Sequence, residues 1–117
     1  MRVVHRGDGG ERTLATTVET ADGVLAKARG LMFRRSIPDD YALVFRFDGA
    51  GRRDLHMLFV PFDIDAVWLR DGRVERVARL RAWLGIDRGA PADTVIELPA
   101  GAASDVEVGD EVELVET

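Results

Sequence analysis

Asp65 and His56 are the side chains whose type and surroundings best suit them to chemistry in this chain. Asp65 stands inside the apolar run Ile64–Leu69. A carboxylate buried there must be paired or hydrogen-bonded, or else take up a proton. Arg29, beside Gly30 at the end of an expected helix, is the partner expected for it. That pair has two readings: a structural ion pair joining helix to sheet, or a binding site in which Arg29 contacts an anion. His56 lies between Leu55 and Met57. As a general base it would need an orienting carboxylate, which Asp65 or Asp54 could supply. The plainer expectation is a buried, hydrogen-bonded structural histidine.

Other chemistries find little support. His5 and His56 are the only histidines, far apart in sequence, and no carboxylates repeat at ligand spacing, so no metal site and no cofactor are expected. Met32 and Met57 have the softness for copper(I) but fit better as core fillers. Ser36 and Ser104 are outside any nucleophile elbow. Gly7-Asp8-Gly9-Gly10 and Gly49-Ala50-Gly51 match neither a phosphate loop nor a dinucleotide fingerprint. Lys27, the lone lysine, gives no sign of the apolar burial a Schiff-base amine needs. Cysteine is absent, which removes disulfides, thiol nucleophiles and Cys-type zinc sites together. Asparagine and glutamine are absent too, so bidentate amide readout of adenine is impossible.

The net charge of −5 is unevenly spread. Asp105, Glu107, Asp110, Glu111, Glu113 and Glu116 crowd the last stretch, while Arg70, Arg73, Arg76, Arg79, Arg81 and Arg88 dominate an earlier one. The arginines from Arg70 to Arg81 are expected to form a solvated face compensated by the acidic C-terminal strand rather than a nucleic-acid surface, because Asp71 and Glu75 interleave them and no aromatics lie on that stretch for base stacking. Acidity with so little Lys, Asn or Gln also suits a salt-adapted source. No apolar run approaches the roughly 20 residues of a membrane span. The N-terminal segment turns polar and glycine-rich before a signal core can form, so a cytoplasmic setting without membrane contact is expected.

The elements that must position these groups are mostly strands. Arg2–Arg6 reads as a short strand closed by the Gly7–Gly10 turn, and residues 13–19 alternate with the period of another. Asp22 can cap a short helix over residues 22–30 that ends near Gly30. Pro38 marks a turn at 36–40, and Tyr41–Phe47 is a strand that Asp48–Arg53 closes as a loop. Leu55–Phe62 and Ile64–Leu69 read as strands buried on both faces. Asp71-Gly72 is a hairpin turn leading into Val74–Val77. Arg81–Ala92 is expected as a longer loop carrying Trp83. Thr94–Leu98 is a strand broken by Pro99-Ala100-Gly101, then come one helical turn at 102–105 and a last strand, Glu111–Val115. The expected fold is a single domain over residues 1–117, α+β but mostly β: a small antiparallel sheet or partly closed β-barrel with one short helix near residues 22–30.

Several segments together resemble a known family: Ala28-Arg29-Gly30-Leu31-Met32-Phe33-Arg34, Leu55-His56-Met57-Leu58-Phe59, Phe62 through Val74, Glu97-Leu98-Pro99-Ala100-Gly101 and Val108-Gly109-Asp110-Glu111-Val112. Their order and spacing are similar to those of domain of unknown function 192, from about Val18 to the C-terminus. The resemblance implies a compact β-rich fold and no established activity. The family's aspartate aligns with Asp65, because Ala66-Val67-Trp68-Leu69 then matches its apolar strand; Asp63 is the alternative. The family's Trp-Met-Lys-Asn-Thr stretch is replaced by His56-Met57-Leu58-Phe59, so no role of that lysine or asparagine passes to this chain.

The function expected from these residues is a non-catalytic binding or accessory module. Arg29, Gly30, Met32, His56 and Asp65 would receive a small anionic or polar ligand or a protein segment. The alternatives are a hydrolase-like enzyme using His56 and Asp65 as an acid–base pair, and a structural subunit whose partner contact is Trp83.

Overall fold

The computed structural model describes residues 1–116 of the chain. Its strands are β1 (Arg2–Gly7), β2 (Gly10–Ala15), β3 (Thr17–Ala21), β4 (Tyr41–His56), β5 (Ile64–Arg70), β6 (Arg73–Leu80), β7 (Ile86–Pro99) and β8 (Glu111–Val115), with one helix, α1 (Gly23–Arg29). They form one eight-stranded sheet in the order β2-β1-β8-β6-β5-β7-β4-β3. All pairings are antiparallel except β3 with β4. The mostly-β expectation holds in its sheet form. The sheet is not closed into a barrel, because β2 and β3 remain its edges and do not pair with each other. Among the described residues no helix is long and apolar enough to cross a membrane.

Alternation along the central strands builds two cores, one on each face. Val67 and Leu69 of β5, Ala42 and Val44 of β4, and Ile96 and Leu98 of β7 join Val3, Leu14 and Val112 in one cluster. Ile64, Ala66 and Trp68, with Tyr41, Leu43 and Phe45, face the other way and are covered by Leu31, Met57 and Val60. Those covering residues come from the segments after α1 and after β4, so the same two segments that seal the second core also present the candidate site.

Four expected boundaries are corrected. The run 13–19 is two strands, because the Thr16 and Thr17 amides both donate to the Asp40 carbonyl (2.9 Å each) and turn the chain from one sheet edge to the other. Asp48–Arg53 does not end a strand: β4 continues through it and pairs Gly51 with Ala92, after a register shift between Arg46 and Gly51. Correspondingly, most of the expected 81–92 loop is the first half of β7. Leu55–Phe62 is not a strand beyond His56. There the Met57 amide donates to Gly85 (2.8 Å) and the Val60 amide to Met57 (3.0 Å), so the backbone coils over the core. The Asp71-Gly72 hairpin is as expected, both residues holding positive φ (52° and 78°) as a two-residue primed turn requires.

Candidate functional site

Asp65 is buried, but its partner is not Arg29. It faces the first core, directly across the ladder from Arg79 of β6. Arg79 Nε donates to Oδ1, and the amides of Gly101 and Ala103 donate to Oδ2 at 2.9 Å each. Both carboxylate oxygens are therefore engaged in tying β5 to β6 and to the turn after β7. Arg29 cannot join them, because it lies over the opposite face of the sheet. Asp65 leaves the candidate site and becomes a fold-maker.

The remaining four residues do converge. Arg29, Gly30, Met32 and His56 line one cavity of about 90 Å³ between the end of α1 and the end of β4. Arg29 is exposed, with no ion pair among the described residues, and it also borders a neighbouring hollow of about 390 Å³. His56 is exposed rather than buried, because β4 ends there and the following turn carries the chain inward only at Met57. Its Nδ1 accepts the Leu58 amide at 3.2 Å, which leaves the proton on Nε2, free for a further bond. Asp54 stands at the same rim.

The cavity also contains a residue that sequence reasoning passed over. Glu97, on β7, points into the second core alongside Val95 and is only 5% exposed. Its Oε1 is the one buried side-chain oxygen or nitrogen without a hydrogen-bond partner among the described residues. Burial pushes the carboxyl up to about 7, against the opposing pull of the Arg34 guanidinium. Arg34 itself is held by Glu19 (3.1 Å) and the Tyr41 hydroxyl (2.9 Å). The available signal was the one that singled out Asp65: an acid in an apolar strand, here Thr94–Leu98.

Gly30 packs closely over this acid. The helix ends on its amide, which donates to Ala26 at 3.0 Å, and its φ of 50° is one that L side chains rarely adopt. A Cβ there would stand 3.3 Å from Phe45 Cζ and 3.6 Å from Glu97 Oε1. Glycine thus keeps a side chain from crowding Phe45 and the partnerless oxygen.

A larger hollow of about 420 Å³ surrounds His5 and Asp110, but its central groups satisfy one another. His5 Nε2 bonds Asp110 Oδ2 at 2.8 Å, the Glu107 amide donates to the same oxygen at 3.0 Å, and the Ser104 hydroxyl donates to the Gly101 carbonyl at 2.8 Å. No group of three or more metal-ligating side chains occurs among the described residues. Of the clustered arginines, Arg73 meets the C-terminal strand at Glu111 (3.5 Å), whereas Arg76 is held bidentately by Asp87 (2.8 and 2.7 Å) and Arg70 by Glu75 (3.5 Å). Met57 is buried and Met32 half-buried, both packed in the second core. Trp83 is 55% exposed and sits near a stacked pair, Phe33 and Phe59, whose ring centroids are 4.9 Å apart. Backbone bonds from Phe33 to Phe59 (2.8 Å) and from Trp83 to Val60 (3.0 Å) lace these turns together.

The family model DUF192, described as uncharacterized ACR, matches residues 4–114. A UPF0127 protein of Thermococcus kodakarensis is 33% identical over 94 residues, which is 78% of this chain and 59% of that protein. A UPF0127 protein of Thermococcus gammatolerans is 33% identical over 96 residues, 80% of this chain and 63% of that protein. The chain thus spans about 60% of the length of these curated relatives. Two crystal structures share the fold. One is a protein of unknown function from Novosphingobium aromaticivorans, with a TM-score of 0.82 at 24% identity over 97% of this chain and 84% of that one. The other is described as a putative transcription regulator from Sinorhizobium meliloti, with a TM-score of 0.78 at 25% identity over 96% of this chain and 91% of that one.

Proposed function

The chain belongs to the DUF192 family, and we propose that this domain is a non-catalytic binding module for a small polar ligand carrying an anionic group. The observation that carries the reading is Glu97: a buried carboxyl with a partnerless oxygen, under a glycine, in a small cavity whose other buried side chains, Leu31, Phe45 and Val60, are apolar. An unsatisfied buried polar group costs about 1–3 kcal/mol, and a ligand that supplies the missing hydrogen bond recovers that cost. In this reading Arg29 contacts the anionic end of the ligand at the rim, His56 Nε2–H donates a further bond, and Met32 gives one apolar wall. The enzyme alternative needed His56 and Asp65 as a pair. Asp65 is committed on the other face of the sheet, which favours binding over acid–base chemistry.

The test is protein-observed NMR titration with a panel of small carboxylates and zwitterions. Arg29→Ala is expected to lower affinity at least tenfold, whereas Asp22→Ala, just outside the helix, leaves it unchanged. Equal binding by the two variants removes the assignment. Loss of binding in Trp83→Ala instead would move the site to the aromatic surface at Phe33, Phe59 and Trp83, the feature that favours a protein partner.

A further inference from the structure

Resting on that binding-module reading, we infer that Glu97 determines which ligands this pocket accepts, and that the ligand enters with an N–H donor end first: an ammonium group, in a zwitterion whose carboxylate stays outside at Arg29. The argument begins with what the slot offers. Its wall groups near the floor are Leu31, Phe45, Leu55 and Val60, none of which has a side-chain hydrogen-bonding atom. The polar lining consists of Glu97 below and of Arg29, Asp54 and His56 at the mouth. A ligand head reaching the floor therefore meets one polar partner, a carboxyl oxygen that nothing else in the described chain engages.

Size and charge then narrow the class. A cavity of about 90 Å³ admits a head group of a few heavy atoms, not a ring system or a phosphate ester. In an apolar slot, an ammonium paired with a carboxylate gains from the low dielectric that penalises either ion alone. The exposed Arg29 would repel a bare cation but stabilise the carboxylate of a zwitterion, so the two charged anchors fit a dipolar ligand laid from floor to rim. Amino acids and short amino-acid-like compounds have that form.

Such a ligand must ionise Glu97, and this fixes the sign of a pH dependence. The ammonium stays protonated from pH 6 to 8, while the Glu97 carboxyl, pushed up to about 7, loses its proton across that range. Affinity should therefore rise roughly tenfold from pH 6 to pH 8. A carboxylate head on the floor would accept from the protonated acid, and its affinity would fall. The other charged groups facing the site are Arg29 on α1, Arg34 after it, Glu19 on β3, and Asp54 and His56 on β4. The Glu97→Gln variant separates the contribution of Glu97 from theirs.

The experiment follows the amide resonances of residues 30–32 and 56–58 during titration of the chain with glycine, methylammonium and acetate at pH 6, 7 and 8. The expected result is that glycine binds the wild type with affinity rising about tenfold over the series. Methylammonium should bind more weakly with the same trend, and Glu97→Gln should bind glycine at least tenfold more weakly, without the trend. Acetate binding alone, or glycine affinity that is flat or falls with pH, overturns the inference and leaves the binding module standing. A trend that persists in Glu97→Gln belongs to another group and also overturns the inference. No response to any of the three probes overturns both readings. If Glu97→Gln does not fold, Glu97→Leu takes its place, with the same loss of affinity and of the trend expected.

Discussion

Asp65 and Glu97 are carboxylates on neighbouring strands, and the alternation of the sheet sends them to opposite faces with opposite fates. Asp65 receives two backbone amides and a guanidinium, whereas Glu97 receives nothing on Oε1. The sequence made the burial of both legible, since each interrupts an apolar strand, but not their partners. The partners of Asp65 come from Arg79 on the adjacent strand and from a turn 36 residues away at Gly101, and no spacing rule points there. The difference has a thermodynamic consequence. The ordinary Glu97 carboxyl value of 4.5 is raised to about 7 in the fold. Between those values the folded chain keeps a proton that the unfolded chain releases, so Glu97 makes stability fall as pH rises through that window and level off above it. A difference of this size corresponds to about 3 kcal/mol. Glu97→Gln has no such loss. Its unfolding free energy relative to wild type should therefore improve by up to about 3 kcal/mol between pH 4.5 and pH 8 in denaturant titrations. An unchanged difference across the series would mean that the carboxyl ionises normally and is solvated.

The long pair β4–β7 is the element that sequence reading cut into pieces, and the reason is its composition. Asp48-Gly49-Ala50-Gly51 and Asp87-Arg88-Gly89-Ala90-Pro91 have the glycine, proline and acid content of loops. They are strand here because β4 and β7 continue as a ladder through them, with Gly51, Arg52 and Arg53 opposite Ala92, Pro91 and Ala90, a pairing visible only in three dimensions. Gly89 shows how tightly the pair depends on this. Its φ is 67°, and an added Cβ would fall 1.9 Å from the Arg53 carbonyl oxygen and 2.5 Å from Trp68 Nε1. That carbonyl also accepts the Trp68 indole N–H at 2.6 Å, so the glycine, the strand and the largest core side chain meet at one point. Gly89→Ala must push β4 from β7 or break the indole bond, and should cost more than about 2 kcal/mol in thermal or denaturant unfolding. Because β4 ends at His56, the same variant should also disturb the His56 resonances, whereas Gly49→Ala, whose Cβ meets nothing within 4 Å, should be near neutral.

On the scale of the molecule, the sheet curls until its two edges are joined through a single residue, Thr16, without pairing to each other. The cost of exposed edges led to the expectation of a sheet or a partly closed barrel; it did not give the place of the stop, which is made of polar groups. Asp40, at the start of β4, takes the Thr16 and Thr17 hydroxyls on one carboxylate oxygen at 2.7 and 2.6 Å, while its carbonyl takes both amides. This junction holds β3 parallel against β4 and leaves β2 on the far side, a geometry that period-2 alternation across residues 13–19 cannot distinguish from one continuous strand. The hydroxyl bonds, Thr17 foremost, hold the Asp40 carboxyl below its ordinary range. A depressed value means that the contribution to stability is fully present above the unfolded value of about 3.8 and is lost as pH falls through the folded one. Asp40→Ala should therefore melt at a lower temperature than wild type at pH 7, and the gap should narrow as the pH is taken down to 3 and below. Amide exchange would add where the effect falls: protection lost along β3 and the end of β2, with the β5–β6 hairpin unchanged. The absence of a gap at pH 7 would assign the junction to the backbone bonds of Asp40, which the variant keeps, and the curl of the sheet would then owe nothing to its carboxylate.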